Sequence, residues 1–408
     1  MSIFIAIVGL LFLILVHESG HFFASLAVGL RPRRFFVGFP PAIAKFKRND
    51  IEYAIGAIPL GGFVTIPGMH RPVPHDAERR FQRAVEEAPG LAGPYERVKH
   101  ALESGRFETV GPALDDFEQA TEGKQLSPAA TSSVQKGLDE LRDAVGPYAY
   151  WKAPTWKRFV AIAAGPGANI ALAIVLFTIL FMTGSGRATP TVAEVTQKFA
   201  DDVTTPAYRI GLQAGDRIVA INVERVEADE IADRIADSEG RPLVITVVRN
   251  GEELMLGPVR AFETEIGYRL GFGLEGEGLP PLEAAARAFE VTGIISKEIV
   301  LGIGRLVTPE GREQVSSPIG ITQASSDAVE RGIANYVAIL GFISLSLALL
   351  NLLPLLPLDG GHLVFVLIEG ARGRYLKREI YERVSWVGVV LVLLLVFVGL
   401  SNDVGRLS

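Results

Sequence analysis

The segment His17-Glu18-Ser19-Gly20-His21 carries two imidazoles and a carboxylate within five residues. On an α-helix, residues four apart lie on one face, about 6 Å apart along the axis, so His17 and His21 can converge on one metal ion. Glu18 lies one step round the helix, where its carboxylate can reach a water molecule at the metal rather than the metal itself. The pattern therefore predicts a zinc site with Glu18 as the catalytic base.

The alternative interpretation is that these side chains are polar residues packed between membrane helices, because the segment is embedded in a strongly apolar stretch. Burying one charged acid in hydrocarbon costs about 2.5 kcal/mol or more. Three ionisable groups so close together need a compensating partner, and a divalent cation supplies one. The energetics favour zinc binding.

A catalytic zinc ion usually has three protein ligands and one open position. The chain has no cysteine, so the third ligand must be His, Asp or Glu. Asp359, in "NLLPLLPLDGGH", is the best candidate, because two prolines interrupt the helix before it and irregular backbone is tolerated at membrane depth where protein covers it. We expect Asp359 to end the third membrane span, with Gly360 and Gly361 turning the chain away. His362 is the competing ligand, and an acid at a helix end near the interface is the alternative role for Asp359.

The composition predicts the elements that must position these residues. Hydrophobic residues make up 49% of the chain and the mean hydropathy is +0.30, which is too apolar for an ordinary soluble protein. A membrane-spanning helix needs about 20 mostly apolar residues. Four segments qualify, and we expect the first to be retained because it lacks the basic start and cleavage site of a signal peptide. The predicted spans are residues 1–30, 155–183, 333–358 and 384–401.

Lysine and arginine cluster after the first predicted span, before the second, and between the third and fourth. By the positive-inside rule this side is cytoplasmic, which leaves both termini outside. No Lys/Arg cluster is dense enough for a nucleic-acid partner, and the net charge is -6. We therefore expect no nucleic acid and a multi-pass protein in contact with the lipid bilayer.

The segments between the spans have different characters. Residues 31–68 alternate and turn, which predicts a membrane-associated β-hairpin region on the cytoplasmic side. Residues 69–150 predict a cytoplasmic helical insert, or alternatively only a solvated spacer. Residues 187–278 read as a compact β-rich domain outside, and residues 280–332 as an amphipathic helix with a connector.

Taken together, HESGH in a first membrane helix and N-x-x-P-x-x-P-x-D-G in a later one resemble the site-2 protease family of intramembrane zinc metalloproteases. Residues 58–68 (IPLGGFVTIPG), 164–169 (AGPGAN) and 317–321 (SPIGI) are similar to further family elements, and residues 211–222 (GLQAGDRIVAIN) resemble a bacterial PDZ domain. The resemblance covers nearly the whole chain except the insert. It implies a polytopic α-helical membrane protein with four transmembrane helices, the β-hairpin region and one extracytoplasmic α+β PDZ-like domain.

The implied activity is zinc-dependent intramembrane proteolysis in the plasma (inner) membrane. Zn²⁺ on His17, His21 and Asp359 would activate water and polarise the scissile carbonyl, while Glu18 passes the proton to the leaving amine. The partners would be membrane-embedded protein substrates, such as anti-sigma factors or signal-peptide remnants.

Secondary sites follow with alternatives. Asn351 could hydrogen-bond the substrate backbone or the developing oxyanion, or only a neighbouring helix. An exposed β-edge that includes Gly61, Gly62 and Phe63 could bind the substrate as an added strand, or the hairpin could only seal the site. The PDZ-like domain could bind peptide or protein ligands, or exclude bulky substrates. Asn169 is expected to be structural.

Two rival functions remain. A catalytically silent membrane scaffold could bind peptides through the PDZ-like domain, but it would have no need for a base at Glu18. A zinc transporter would need ionisable residues along several spans, and the second and fourth have essentially none.

Overall fold

The computed structural model describes residues 1–198, 203–264, 267–306, 308 and 317–407. Two compact units are present, one made of residues 1–173, 295–332 and 339–408 and the other of residues 174–294 and 333–338. The helices are α1 (Ser2–Ala27), α2 (Pro74–Glu87), α3 (Ala92–Glu103), α4 (Val110–Thr121), α5 (Pro128–Val145), α6 (Thr155–Leu180), α7 (Pro206–Arg209), α8 (Glu230–Ala236), α9 (Pro281–Arg305), α10 (Pro318–Glu330), α11 (Ile333–Asn351), α12 (Asp359–Arg372) and α13 (Arg378–Leu407). The strands are β1 (Arg34–Arg48), β2 (Ile51–Thr65), β3 (Arg187–Val195), β4 (Arg217–Ile221), β5 (Glu224–Arg225), β6 (Pro242–Arg249), β7 (Glu252–Arg260), β8 (Phe262–Thr264), β9 (Gly267–Arg269) and β10 (Phe272–Glu277).

Four helices in the described part of the chain are long and apolar enough to cross a membrane: α1, α6, α11 and α13. They correspond to the four predicted segments, but some boundaries differ. The fourth span was predicted at residues 384–401, whereas α13 runs from Arg378 to Leu407. The third span was predicted to run to residue 358, whereas α11 ends at Asn351. Pro354 and Pro357 each lack an N–H and cannot continue the helical ladder, so residues 352–358 form turns instead.

β1 and β2 form the predicted β-hairpin region. Asn49 and Asp50 connect them with φ angles of 49° and 61°, as a tight hairpin turn requires. Residues 34–37 pair with residues 52–55 on one side and with residues 62–65 on the other. The first half of β1 therefore lies inside the sheet, and residues 62–65 form one edge. Several large apolar side chains of the sheet are exposed, which suits contact with lipid: Phe39, Ile43, Phe46, Ile55 and Ile58.

The insert has a hydrophobic core of its own and is more than a solvated spacer. Helices α2 to α5 enclose the fully buried side chains Phe81, Leu114 and Phe117, and the Phe81 and Phe117 rings stack at 4.4 Å. Val134, Leu138, Leu141 and Val145 repeat at helical spacing in the sequence and lie in α5, where Leu138 and Leu141 are buried. A core of this kind allows the insert to hold a fixed shape of its own.

The second unit is built on an antiparallel sheet of order β10-β3-β4-β6-β7, with β5 paired to β4. Its strands bury one face, which includes Ile218, Ile245 and Val247, against the short helix α8 and neighbouring loops. Asn250 and Gly251 make the tight β6–β7 turn with φ angles of 54° and 89°. The unit is α+β in composition.

The described part of the predicted amphipathic helix and connector at residues 280–332 contains two helices rather than one. α9 follows the prediction, but the second helix, α10, was missed. Ser317 caps α10 by accepting a hydrogen bond from the Ile319 N–H at 3.1 Å, and a proline follows at the first helical position. The Ser-Pro pair was the signal for this helix start.

A buried ion pair fixes α6 to α12. The Arg158 Nη1 donates to Glu369 Oε2 at 2.6 Å, and the two residues are only 5% and 6% exposed. The other carboxylate oxygen accepts hydrogen bonds from the Leu376 N–H at 2.9 Å and the Tyr381 hydroxyl at 3.3 Å. Both carboxylate oxygens of Glu369 therefore accept hydrogen bonds from groups of the protein.

Replacing Glu369 by alanine is expected to lower the free energy of unfolding by about 3–5 kcal/mol, because it leaves the Arg158 charge buried without a partner. The matched control is Glu290→Ala, which removes an exposed pair with Arg287 and should cost under about 1 kcal/mol. Denaturant unfolding of both variants in detergent measures the difference. If Glu369→Ala and Glu290→Ala lost the same free energy of unfolding, the buried Arg158–Glu369 pair would be no more important for stability than an exposed pair.

Candidate metal centre

Helix α1 presents His17 and His21 one turn apart on the same face. Both are buried, at 7% and 8% exposure, and their Nε2 atoms lie 3.3 Å apart. The α-helical repeat alone produces this convergence, since α1 is continuous through the motif.

Asp359 completes a three-atom cluster with these imidazoles. Its Oδ2 lies 3.2 Å from the Nε2 of His17 and 3.2 Å from the Nε2 of His21. Among the described residues, this is the group of His, Asp and Glu side chains that could hold a metal ion. His362, the competing ligand, lines the same cavity but is outside the cluster.

The position of Asp359 in the fold differs from the expectation. It does not end a span but begins α12, so its carboxylate lies at a helix N-terminus, where the helix dipole stabilises negative charge. Gly360 and Gly361 do not turn the chain away. A Cβ on either would overlap backbone atoms of residues 352–356, so both glycines allow the first turn of α12 to fold tightly against the preceding segment.

The cluster fits a zinc ion. Ligands at about 2.0–2.1 Å in a tetrahedron lie about 3.3–3.4 Å from one another, close to the observed separations. The Nδ1 of His21 lies 2.9 Å from the Ala161 carbonyl, which can only accept, so Nδ1 carries the hydrogen and a neutral Nε2 points its lone pair at the cluster. Asp359 Oδ2 is buried without a hydrogen-bond donor among the described residues. Lone pairs that converge on one point repel one another, and a bound cation at that point would stabilise them.

Close packing of α1 against α6 holds His21 in place. A Cβ on Gly165 would overlap the Nε2 of His21, and a Cβ on Gly20 would overlap the Ala164 carbonyl oxygen. These glycines let the two helices approach closely enough for the Ala161 carbonyl to reach the imidazole. The small residues at 164–168 favour close helix packing, but nothing in the sequence shows that His21 lies against Gly165. The contact to Ala161 had no sequence signal, because any residue supplies a carbonyl.

Glu18 lies beside the cluster and against the β-hairpin region. It is 8% exposed, and a Cβ on Gly62 would come within 2.8 Å of its Cγ. The absence of a side chain at Gly62 therefore gives the Glu18 carboxylate its space next to β2.

The residues of β2 on either side of Gly62 also lie near Glu18 and line the same cavity. Phe63 stacks on Phe36 with a centroid distance of 4.7 Å, and Gly61 lies against the Phe39 ring, which a Cβ would approach to 2.7 Å. Asn351, the last residue of α11, donates from Nδ2 to the Leu347 carbonyl at 3.0 Å.

One cavity of about 550 Å³ joins these groups. It brings together the site residues predicted from sequence: His17, Glu18, His21, Gly61, Gly62, Phe63, Asn351 and Asp359. Its walls also include Ile14 of α1, Ile162 of α6, Leu347 of α11 and Val392 of α13, so all four of the apolar helices contribute to it. Asn169 is fully buried away from this lining, and its carbonyl accepts from the Ser344 hydroxyl at 2.9 Å.

Comparison with known proteins gives a consistent result over nearly the whole chain. The sequence model of peptidase family M50 matches residues 5–395. The chain is 30% identical to zinc metalloprotease RasP of Geobacillus kaustophilus, over 97% of this chain and 95% of the relative. It is 31% identical to putative zinc metalloprotease Atu1380 of Agrobacterium fabrum, over 97% and 93%. It is 29% identical to the regulator of sigma-W protease RasP of Bacillus subtilis, over 97% and 96%.

Proposed function

Because the chain belongs to peptidase family M50, we propose that it acts as an intramembrane endopeptidase, cutting the transmembrane segments of other membrane proteins. The family and its relatives make it a zinc metalloprotease with Zn²⁺ as cofactor, and its four apolar helices make it a multi-pass membrane protein. The observation that carries the proposal is the buried His17, His21 and Asp359 cluster in a cavity lined by residues of all four helices. A metal centre surrounded by membrane-spanning helices suits substrates that are themselves in the membrane.

His17, His21 and Asp359 would hold the zinc ion, which supplies Lewis acidity to activate water and polarise the scissile carbonyl. The Ala161 carbonyl orients His21, and the α12 N-terminus favours the ionised Asp359. Glu18 takes the proton from the attacking water and delivers it to the leaving amine. Its burial beside Gly62 keeps the carboxylate within the cavity.

We propose that the edge of the sheet at residues 62–65 binds the unwound substrate as an added strand. These residues pair with residues 34–37 on one side, and the described part of the chain pairs no strand with their other side. Gly61, Gly62 and Phe63 line the cavity, so a strand added there would run past Glu18. Asn351 would donate to the substrate backbone or the developing oxyanion after releasing its bond to Leu347.

The natural substrate class and the orientation are also proposals. One relative is named regulator of sigma-W protease, which favours anti-sigma factors as substrates, with signal-peptide remnants as a second class. The Lys/Arg clusters favour a plasma (inner) membrane location with residues 69–150 in the cytoplasm and both termini outside. The β-rich domain at residues 187–278, PDZ-like in sequence, would then bind peptide ligands or exclude bulky substrates outside.

The test is cleavage of a purified membrane-protein substrate by the purified full chain in detergent. We expect cleavage within the transmembrane segment, loss of cleavage with a zinc chelator, and recovery on adding Zn²⁺. In the same assay Asn351→Ala should lower kcat while the zinc content stays at one ion per chain. Cleavage confined to loops outside the membrane segment would contradict the intramembrane proposal, and an unchanged kcat in the Asn351 variant would remove its role.

A further inference from the structure

A second polar cavity lies outside the metal centre. It has a volume of about 360 Å³ and is formed by residues 69–73, parts of the insert, and residues 375–381. We call it the head cavity. It shares only Met69 with the cavity of the metal centre. Its charged lining comprises Arg71, Arg158, Glu369, Lys377, Arg378 and Glu379.

Two acidic side chains line the head cavity: Glu369, which is buried and held by internal partners, and Glu379, which is exposed. Glu369 is bound by Arg158 on one oxygen and by Leu376 and Tyr381 on the other. Arg378 is satisfied by both oxygens of Asp76 at 2.8 Å. The lining has four Lys and Arg side chains against two acids, so the cavity carries an excess of positive charge.

Cationic donors, in contrast, remain available. The Arg71 guanidinium lies 3.9 Å from the Tyr375 ring centre and 4.9 Å from that of Trp151. In the described residues neither Arg71 nor Lys377 has a carboxylate within ion-pair distance. The Nε of Arg158, a residue only 5% exposed, also has no hydrogen-bond partner there. A guanidinium held flat by aromatic rings presents its N–H groups edge-on, which suits a phosphate.

A second cavity adjoins the first, and most of its surface is apolar, although Glu382 and Ser385 also line it. It has a volume of about 310 Å³ and shares His70 and Tyr381 with the head cavity. We call it the chain cavity. It runs along α13 beside Trp386 and Val389, and Trp386 is 71% exposed. Burial and the nearby His362 and Arg378 lower the pKa of His70 to about 4, so His70 is uncharged at neutral pH and adds no charge where the cavities meet.

We propose that the head and chain cavities together bind one anionic phospholipid, with its phosphate at Arg71 and Lys377 and an acyl chain against Trp386 and Val389. Basic pockets between membrane helices commonly hold such headgroups. A free phosphate would use the head cavity alone and leave the apolar one unused. The bound lipid would contact the insert through Phe107, α6 through Arg158 and α13 through Trp386, and so join these elements.

The test measures lipid binding to the purified full chain in detergent by native mass spectrometry, with phosphatidylglycerol, phosphatidylcholine and inorganic phosphate as separate probes. We expect phosphatidylglycerol to bind at least about tenfold more tightly than phosphatidylcholine. Arg71→Gln should weaken phosphatidylglycerol binding about tenfold to hundredfold, because charge-assisted hydrogen bonds are lost. The matched control Arg83→Gln removes one exposed insert arginine and should change nothing.

A second variant separates a lipid from a free phosphate. Trp386→Ala should weaken phosphatidylglycerol binding severalfold and leave any inorganic phosphate binding unchanged. The proposal is overturned if the two lipids bind equally, if Arg71→Gln matches Arg83→Gln, or if inorganic phosphate displaces the lipid completely at equal concentration.

Discussion

Replacing Glu18 by glutamine is expected to lower peptide cleavage by about 10²- to 10⁴-fold while the protein still holds one zinc ion per chain. Glutamine has nearly the same shape and keeps its place beside Gly62, but it cannot accept the proton from water. Glu18 is outside the three-atom cluster, so the metal ligands stay intact. Single-turnover cleavage of a membrane-protein substrate and metal analysis of the same preparation measure both effects.

This variant also separates the enzyme from a silent scaffold. A scaffold would tolerate the change in every assay, whereas the proposed mechanism requires activity to fall and zinc to stay. Wild-type cleavage rates in the Glu18→Gln protein would contradict the role of Glu18 as the base. Loss of zinc together with activity would instead make Glu18 part of the metal-binding set.

Replacing Gly165 by alanine is expected to reduce zinc affinity and cleavage together, each by about tenfold to hundredfold. The added methyl group would occupy the space of the His21 Nε2, so either the imidazole must leave the cluster or α6 must move away from α1. Both movements also break the bond from His21 to the Ala161 carbonyl, and losing such outer partners of a ligand typically costs metal affinity in this range.

Gly167→Ala is the matched control for this prediction. It makes the same chemical change two residues away on α6, and a Cβ there meets nothing within 4 Å. Because alanine has a higher helix propensity than glycine, this variant should keep its zinc and its activity and have a slightly higher free energy of unfolding than the wild type. Equal behaviour of the two variants would show that close packing at Gly165 does not hold His21.

The parts of the site that depend on local periodicity could be predicted from the sequence. The spacing of His17 and His21 fixes their shared helix face, and the two prolines that interrupt the helix before it singled out Asp359. The same reasoning misjudged how Asp359 is presented. Two prolines end α11 at Asn351, but nothing local shows that a new helix starts at Asp359 and returns to α1.

Most contacts between residues far apart in the chain could not be predicted from the sequence. The Arg158–Glu369 pair joins residues 211 positions apart, and no periodicity connects them. The stretch 164–168 was recognisable as a small-residue run, yet its target, His21, depends on how α6 rotates against α1. The insert was predicted as helical, but its separate core follows from four helices packing together, which no single amphipathic pattern specifies.

The most direct test is the zinc affinity of the purified Asp359→Ala protein, measured by competition with a chelator of known affinity and compared with the wild type. Because Asp359 Oδ2 sits 3.2 Å from both imidazole nitrogens, we predict a loss of more than about 100-fold, beyond the range for outer partners of a ligand. An Asp359→Ala protein that binds one zinc ion as tightly as the wild type would contradict the three-ligand site.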